Sequence, residues 1–422
     1  MARLGAPGRG LGRVVAGDRA SGPVRISCVG GGPAGLYFAI LMKRRDPSHE
    51  ITVFERDPAG LTYGWGVTLW DDLLEKLHVG DPESARQIAE RCFHWRDQVV
   101  EIQGKGTVHL GGASGFAVSR QGLLDILAKR AIDLGVLVRF ERGLEDPAQL
   151  ADSDLIVACD GVNSRLRRLH ADRFRTNVDV GRNKYIWLGT SRVFGTFTYG
   201  FVETHAGWIW FYAYGFNDDA STCVVECSPE TWAGLDLDML STNESIALLE
   251  KTFERHLDGH PLMVQSRDPH GTPWLNFRTV TNRSWHHDKI ALMGDAAHTT
   301  HFSIGSGTRL AIEDAIGLAT KLRAREDARL ALDAYASERQ AALVRPRRRA
   351  RHSARWFESI HRYIDLEAPQ FATLLARRDR FSWPLAKLPP RGHWRLYRMG
   401  RTIRMGRKPR GRSDSKPLGR GT

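Results

Sequence analysis

The sequence predicts an α/β protein in which a parallel sheet, split in two along the chain, is interleaved with an antiparallel-sheet domain and followed by C-terminal helices. Three observations carry this. Residues 24–55 read as strand, glycine turn, helix, strand and acid; residues 184–227 are a block of aromatic and β-branched runs; from residue 289 a buried strand returns, followed by long helices. The expected division is a basic tail at 1–22, a first nucleotide-binding part at 23–175, the antiparallel domain at 176–280, a second nucleotide-binding part at 281–345, C-terminal helices at 346–390 and a second basic tail at 391–422.

The first stretch, "VRISCVGGGPAGLYFAILMKRR", opens with the apolar run Val24–Val29, a buried strand by composition. Gly30, Gly32 and Gly35 then satisfy GxGxxG, and Leu36, Phe38, Ala39, Leu41 and Met42 follow at helical density. "EITVFERD" supplies the second strand, which ends at Glu55, 20 residues after the last glycine. The first glycine permits the tight turn, the second lets a pyrophosphate approach the backbone, and the third lets helix pack on strand. The helix N-terminus attracts the phosphates, and the acid accepts hydrogen bonds from a ribose. A lone GxGxxG says little; with its whole βαβ context it predicts dinucleotide binding. The glycines of Gly111-Gly112-Ala113-Ser114-Gly115 lack a preceding apolar strand and read as a turn.

Next come a helix in "RQGLLDILAKRAIDLG", then the buried strand Leu155–Cys159 with an Asp160-Gly161 turn. "YIWLGTSRVFGTFTYGFV", "GWIWFYAYGF" and "STCVVEC" alternate in short runs and predict antiparallel strands. "DKIALMGD" restores the α/β pattern and leads into "GDAAHTTHFSIGSG", residues 294–307. His298 and His301 there are an HxxH pair, but two histidines alone do not make a metal site. A P-loop is excluded, because no Gly-Lys-Ser/Thr follows.

The bulk properties narrow the class. The chain has 422 residues, 42% of them hydrophobic, enough for a large core. It has no apolar run near the roughly 18 residues of a membrane span and no apolar leader after its first arginines, so neither a membrane nor a secretory route is expected. Five scattered cysteines without a CxxC pair suggest reduced thiols and a cytoplasmic setting. The net charge of +13 resembles a nucleic-acid signal, but residues 1–22 carry +3 and residues 391–422 carry +10, leaving 23–390 formally neutral. Both tails are rich in Gly and Arg and poor in large apolar residues, which predicts disorder. No nucleic-acid partner is expected.

GxGxxG with Glu55, Asp160-Gly161 and Gly294-Asp295 occur in the order seen in the FAD-dependent aromatic hydroxylases, and the chain resembles that family of single-component flavoprotein monooxygenases. "YGWGV" (63–67), "HTTHFSIGSGTRLAIEDAI" (298–316) and "SARWFESIHRY" (353–363) bring it near the branch of salicylyl-CoA hydroxylase, aminobenzoyl-CoA monooxygenases and the violacein-pathway hydroxylase. The resemblance covers residues 24–385. It implies a Rossmann-type FAD-binding domain interleaved with a substrate domain. It assigns Gly30, Gly32, Pro33, Ala34, Gly35, Glu55 and the adjoining Arg56 to the ADP half of FAD. Arg120 and Asp160 fall near the flavin phosphates, and Gly294 and Asp295 at the ribityl chain. Gly305 and Gly307 offer backbone amides to the pyrimidine edge, with Gly64 and Gly66 along the outer edge. Arg120 also suits a surface salt bridge. Relatives outside this branch carry Pro four residues after the motif histidine, where Phe302 stands here.

The implied activity is hydroxylation of an electron-rich aromatic ring with FAD, O2 and NADH or NADPH as transient co-substrate. The expected substrate is a small aromatic, a hydroxy- or aminobenzoyl-CoA; the alternative is a tryptophan- or anthranilate-derived metabolite. His301 is the catalytic candidate, with His205 and Tyr214 as further acid–base candidates, and the Trp and Phe of "GWIWFYAY" serve either as pocket wall or as sheet core. Arg348, Arg351 and Arg355 form a basic helical stripe suited to the phosphates of CoA. Two rivals remain: a flavin halogenase, against which the Trp-x-Trp-x-Ile-Pro signature breaks at Phe211-Tyr212, and a non-catalytic flavin-binding partner protein.

Overall fold

A computed structural model describes residues 23–395, apart from 70, 112–113, 145, 266–273, 325–326, 381–387 and 393. The expected disordered basic tails, 1–22 and 391–422, lie outside the described residues except at 391–392 and 394–395, which are helical.

Six strands form the first sheet, in the order His286–His287, Ile290–Leu292, Leu155–Ala158, Arg25–Val29, Glu50–Phe54 and Leu137–Arg139. All pairings are parallel except that of the two-residue edge strand. Arg25–Val29 lies at the centre, and its four last residues are buried, as an apolar run covered on both faces must be. The sheet order has a direct consequence. The loops after Val29, Ala158 and Leu292 leave the same end of adjacent parallel strands, where doubly wound folds bind ligands. Three motifs separated by up to 265 residues in sequence meet there.

The helix Pro33–Arg45 begins with a proline, which presets the first helical φ, and ends in Lys43, Arg44 and Arg45, which complement the negative end of the helix dipole. Its Tyr37, Phe38, Ala39 and Ile40 have no exposed surface. It packs against the sheet and against the helix Gly307–Ala324. The helix can approach the strand only because Gly35 has no side chain: a Cβ there would stand 2.2 Å from the Gly30 carbonyl oxygen.

The second sheet holds Thr176–Thr190, Phe197–Thr204, Gly207–Gly215 and Ser221–Cys227 as antiparallel neighbours. Alternation sends the "GWIWFYAY" run to two faces, and its Trp210 and Phe211 are sheet core, not pocket wall. Ile209, Phe211 and Ala213 fill a core under one face, with Leu249 and Phe253. Trp210 and Tyr212 point to the other, where Trp356, Phe357 and Phe371 of the C-terminal helices cover them.

Two expected boundaries move. Gln98–Ile102 pairs in parallel with Phe197–Thr204, and Gly106–His109 follows it, so this sheet draws two strands from the segment expected to belong wholly to the nucleotide-binding part. The division at 345/346 falls inside one 31-residue helix, Ala328–Glu358, which contains Pro346. Of the five free cysteines four are buried and Cys92 is half-buried.

Candidate active site

A cavity of about 1740 Å³ runs from the glycine turn, past the ends of the parallel strands, to the inner face of the antiparallel sheet. Ordinary small-molecule pockets span roughly 300–1,000 Å³. This one has room for a dinucleotide and an aromatic ring together.

At the glycine end, Gly30 takes φ +117°, and a Cβ there would strike the Cys159 carbonyl oxygen at 2.3 Å. Its N–H donates to the Phe54 carbonyl at 2.8 Å, tying the turn to the second strand. Gly32 is different: a Cβ there meets nothing within 4 Å, so its surroundings are open cavity. Glu55 accepts from the Gly31 N–H at 2.7 Å and from the Asp57 N–H at 2.9 Å. The acid thus braces the glycine turn while lining the cavity; each carboxylate oxygen keeps a lone pair for a hydroxyl. Pro33, Ala34 and Arg56 line the same end, whereas Gly35 is buried under it.

Asp160 Oδ2 accepts from the Arg165 N–H at 2.7 Å, while its buried Oδ1 has no partner among the described residues. Burial pushes this carboxyl above its ordinary range. Arg167, buried beneath, donates to the Val162 carbonyl at 2.5 Å and the Ala296 carbonyl at 3.1 Å, locking the Asp160 turn to the Asp295 turn.

Asp295 opens into the cavity. Burial against the cavity wall pushes its carboxyl up, with His298 and Arg120 opposing. Beneath it lies a buried triad that sequence reasoning missed. Asp314 accepts from the Gly294 N–H at 3.0 Å and from Arg339 Nε at 2.7 Å, and is hydrogen-bonded to His298 Nε2 at 2.8 Å. Burial alone would raise Asp314; His298 and Arg339 outweigh it and hold the carboxyl below its usual range. One signal was available: an acid and an arginine on the buried faces of two adjacent helices.

The two histidines of the HxxH pair go separate ways. His298 joins Asp314, and His301 Nδ1 is hydrogen-bonded to Ser303 Oγ at 2.8 Å. His301, the expected catalytic residue, is absent from the lining of the large cavity and packs against Phe277 and Phe302. Burial, with Arg378 adding to it, pushes its ring to about 3, so it is a poor proton acceptor near neutrality. His205 is exposed, at a hairpin end beside the Gly234 carbonyl, away from the cavity. Tyr214 lines the cavity and donates to the Gly66 carbonyl at 3.0 Å. Arg120, Gly66, Gly294, Gly305 and Gly307 also line it; Gly64 does not, and lies against Trp187. Tyr185, Tyr199, Tyr212, Phe197 and Phe302 enclose the far end. The Phe302 ring stands 4.7 Å from that of Tyr185 and 5.8 Å from that of Tyr212. The basic stripe of Arg348, Arg351 and Arg355 is exposed and outside the lining; Arg349, Arg378 and Arg380 take its place at the cavity.

Comparison with known proteins decides the family. Residues 125–349 match the family described as FAD binding domain, and residues 28–68 match the NAD(P)-binding Rossmann-like domain. Salicyloyl-CoA 5-hydroxylase of a Streptomyces species is 39% identical over 360 residues, 83% of this chain and 68% of that protein. The chain belongs to the FAD-dependent aromatic monooxygenases. It is also 35% identical to the 3-hydroxy-4-methyl-anthranilyl-[aryl-carrier protein] 5-monooxygenase of Streptosporangium sibiricum, over 80% of this chain and 90% of that one. To the protodeoxyviolaceinate monooxygenase of Chromobacterium violaceum it is 34% identical, over 82% and 92%. The monooxygenase uses FAD, NAD(P)H and O2 and acts on a small aromatic substrate. Among the described residues, no helix is long and apolar enough to cross a membrane.

Proposed function

We propose that this monooxygenase hydroxylates a hydroxy- or aminobenzoyl group carried as a CoA thioester, with FAD held between the glycine turn and Asp295. The observation that carries the reading is the single cavity linking a dinucleotide-shaped cradle, an aromatic enclosure and an arginine-lined rim. The fit to FAD rests on the open space at Gly32, the Oδ1 of Asp160 that has no partner among the described residues, and the accessible carboxylate of Asp295. The backbone amides of Gly32 and Ala34, at the start of the helix, would hold the pyrophosphate, with Arg120 beside it. Glu55 and Arg56 take the adenosine side, and Asp295 takes the ribityl hydroxyls. The amide of Gly307 would face the pyrimidine edge and stabilise negative charge there, whereas that of Gly305 already donates to the Phe302 carbonyl at 2.8 Å.

When bound, FAD reduced by NAD(P)H supplies the oxygen transfer. The chain's own task is placement and exclusion of water. The tyrosine and phenylalanine rings sandwich the substrate ring, and Arg349 and Arg380 meet the anionic handle at the rim. The relatives named for a CoA ester and for a carrier-protein-borne anthranilyl group support a carried substrate.

Asp295→Ala is expected to lower FAD affinity by about 1.5–3 kcal/mol, the worth of a charged hydrogen bond. Full flavin retention after gel filtration sinks the assignment. A hydroxy- or aminobenzoyl-CoA is expected to stimulate NAD(P)H oxidation far better than the free acid. The double variant Arg349→Ala/Arg380→Ala is expected to raise KM for the thioester roughly tenfold, about 1.4 kcal/mol. Its kcat stays near that of the wild type, because uniform binding is lost. Equal turnover of acid and thioester rejects the CoA handle in favour of a free metabolite.

A further inference from the structure

We propose that Tyr212 and Glu226 form the path by which a ring hydroxyl of the substrate gives up its proton; this rests on the reading of the aromatic end as the substrate enclosure.

Glu226 lies on the strand Ser221–Cys227, every residue of which is buried, and is itself 1% exposed. Its carboxyl meets no cation among the described residues. Tyr212 Oη donates to it at 2.5 Å and Asn183 Nδ2 at 2.7 Å. A buried carboxylate held only by neutral donors costs stability that an apolar residue would not. Such a group beside a substrate cavity is a functional candidate. Burial pushes Glu226 to about 7, although the bonds from Tyr212 and Asn183 pull it down.

Tyr212 connects this group to the cavity that it lines. Its ring is fixed between those of Tyr199, Phe302 and Phe357. Its Oη accepts from Trp210 Nε1 at 3.1 Å and donates to Glu226, which leaves one lone pair. A hydroxyl on the substrate ring can donate to that lone pair. On its far side Glu226 borders a second cavity of about 10 Å³, near the size of one water, shared with Tyr185, His301 and Glu358. Glu358, on the other side of that cavity, accepts from the Arg182 N–H at 3.0 Å in a solvent-exposed contact, the direction in which the proton would leave.

The titratable groups facing Glu226 are Tyr212, Tyr185, His301 and Glu358. Burial keeps both phenols protonated and His301 neutral, so none of these three competes for the proton. In the step itself the substrate O–H bond breaks and its proton passes to Tyr212 Oη. The proton originally on Tyr212 moves to Glu226 Oε2. A phenolate, an unchanged tyrosine and a neutral carboxylic acid result, with no electrons gained or lost. The phenolate is the more electron-rich ring, which oxygen transfer requires.

Glu226→Gln keeps the shape and a hydrogen-bond acceptor but takes no proton. Two readouts are measured on FAD-loaded protein with 2-hydroxybenzoyl-CoA: the absorbance of bound phenolate and the pH profile of kcat. In the wild type both rise with pH through about 7, because Glu226 must be ionised to accept. In Glu226→Gln the inflection near 7 disappears and kcat falls roughly 100-fold, the lower range for a lost general base, while KM and flavin content stay within about twofold. Glu226→Asp restores part of the profile, and Tyr212→Phe reproduces the loss should the glutamine variant fold poorly. A Glu226→Gln profile and bound-ligand spectrum that superimpose on the wild type overturn the relay. Should the wild type neither bind nor oxidise the thioester, the CoA reading falls. The same two measurements on the hydroxyaryl compound it does oxidise then decide the relay.

Discussion

Asp314→Ala is expected to cost about 3–5 kcal/mol of stability, the range for a broken buried ion pair, and to release the flavin. Asp314 has no exposed surface and is bonded to the Gly294 N–H, His298 and Arg339 at once. Removing it leaves a guanidinium 9% exposed with only the weaker contact to Glu313 at 3.3 Å. It also frees the Gly294-Asp295 turn, which carries the proposed ribityl contact. The stabilisation has a definite pH range. His298 and Arg339 depress the folded-state carboxyl, so its contribution is fully present above the ordinary Asp value near 3.9 and is lost as pH falls through the lower folded value. Denaturant unfolding of the apoprotein at pH 7, with flavin content measured in parallel, checks both parts. An unchanged midpoint in Asp314→Ala refutes the bracing role.

Gly35→Ala and Gly32→Ala are expected to fail in opposite ways. A methyl at Gly35 stands 2.2 Å from the Gly30 carbonyl oxygen and 2.7 Å from Cys159 Sγ, both fixed by the central strands. Overpacking of a tight core costs about 1–3 kcal/mol, and a backbone oxygen cannot swing aside, so the upper end or worse is expected. The apoprotein itself should melt earlier. A methyl at Gly32 meets nothing within 4 Å, so apoprotein stability stays within about 1 kcal/mol of the wild type, in either direction. FAD affinity nonetheless falls by roughly tenfold or more, over about 1.4 kcal/mol, because the methyl occupies the approach of the pyrophosphate. Melting curves of the apoproteins and flavin-fluorescence titrations separate the two effects. A Gly32→Ala protein with wild-type FAD affinity removes the glycine turn from the site.

What the sequence determined by itself is local or periodic. Val24 to Glu55 encodes its own strand–turn–helix–strand unit, since an apolar run, three glycines, a proline and an acid at fixed spacing each act within a few residues of themselves. The alternating aromatics of 207–215 likewise specify a strand and its two faces. The tertiary structure decided what lies across long loops. His301 sits next to the flavin motif in sequence, yet the short helical turn Phe302–Ile304 rotates its ring out of the cavity. Asp314, Arg339 and His298 come together only because two helices pack against the Gly294 turn. Glu226 reads as one charge in an apolar strand until Tyr212 is found opposite Val224, two residues along the neighbouring strand. The arginines at the cavity differ from the expected stripe for a geometric reason. Successive residues of an α-helix point about 100° apart, so Arg349 and Arg348 face different ways. The sequence sets their spacing, but only packing against the sheet fixes the phase of the helix, and that phase sends Arg348, Arg351 and Arg355 to solvent and Arg349 to the cavity.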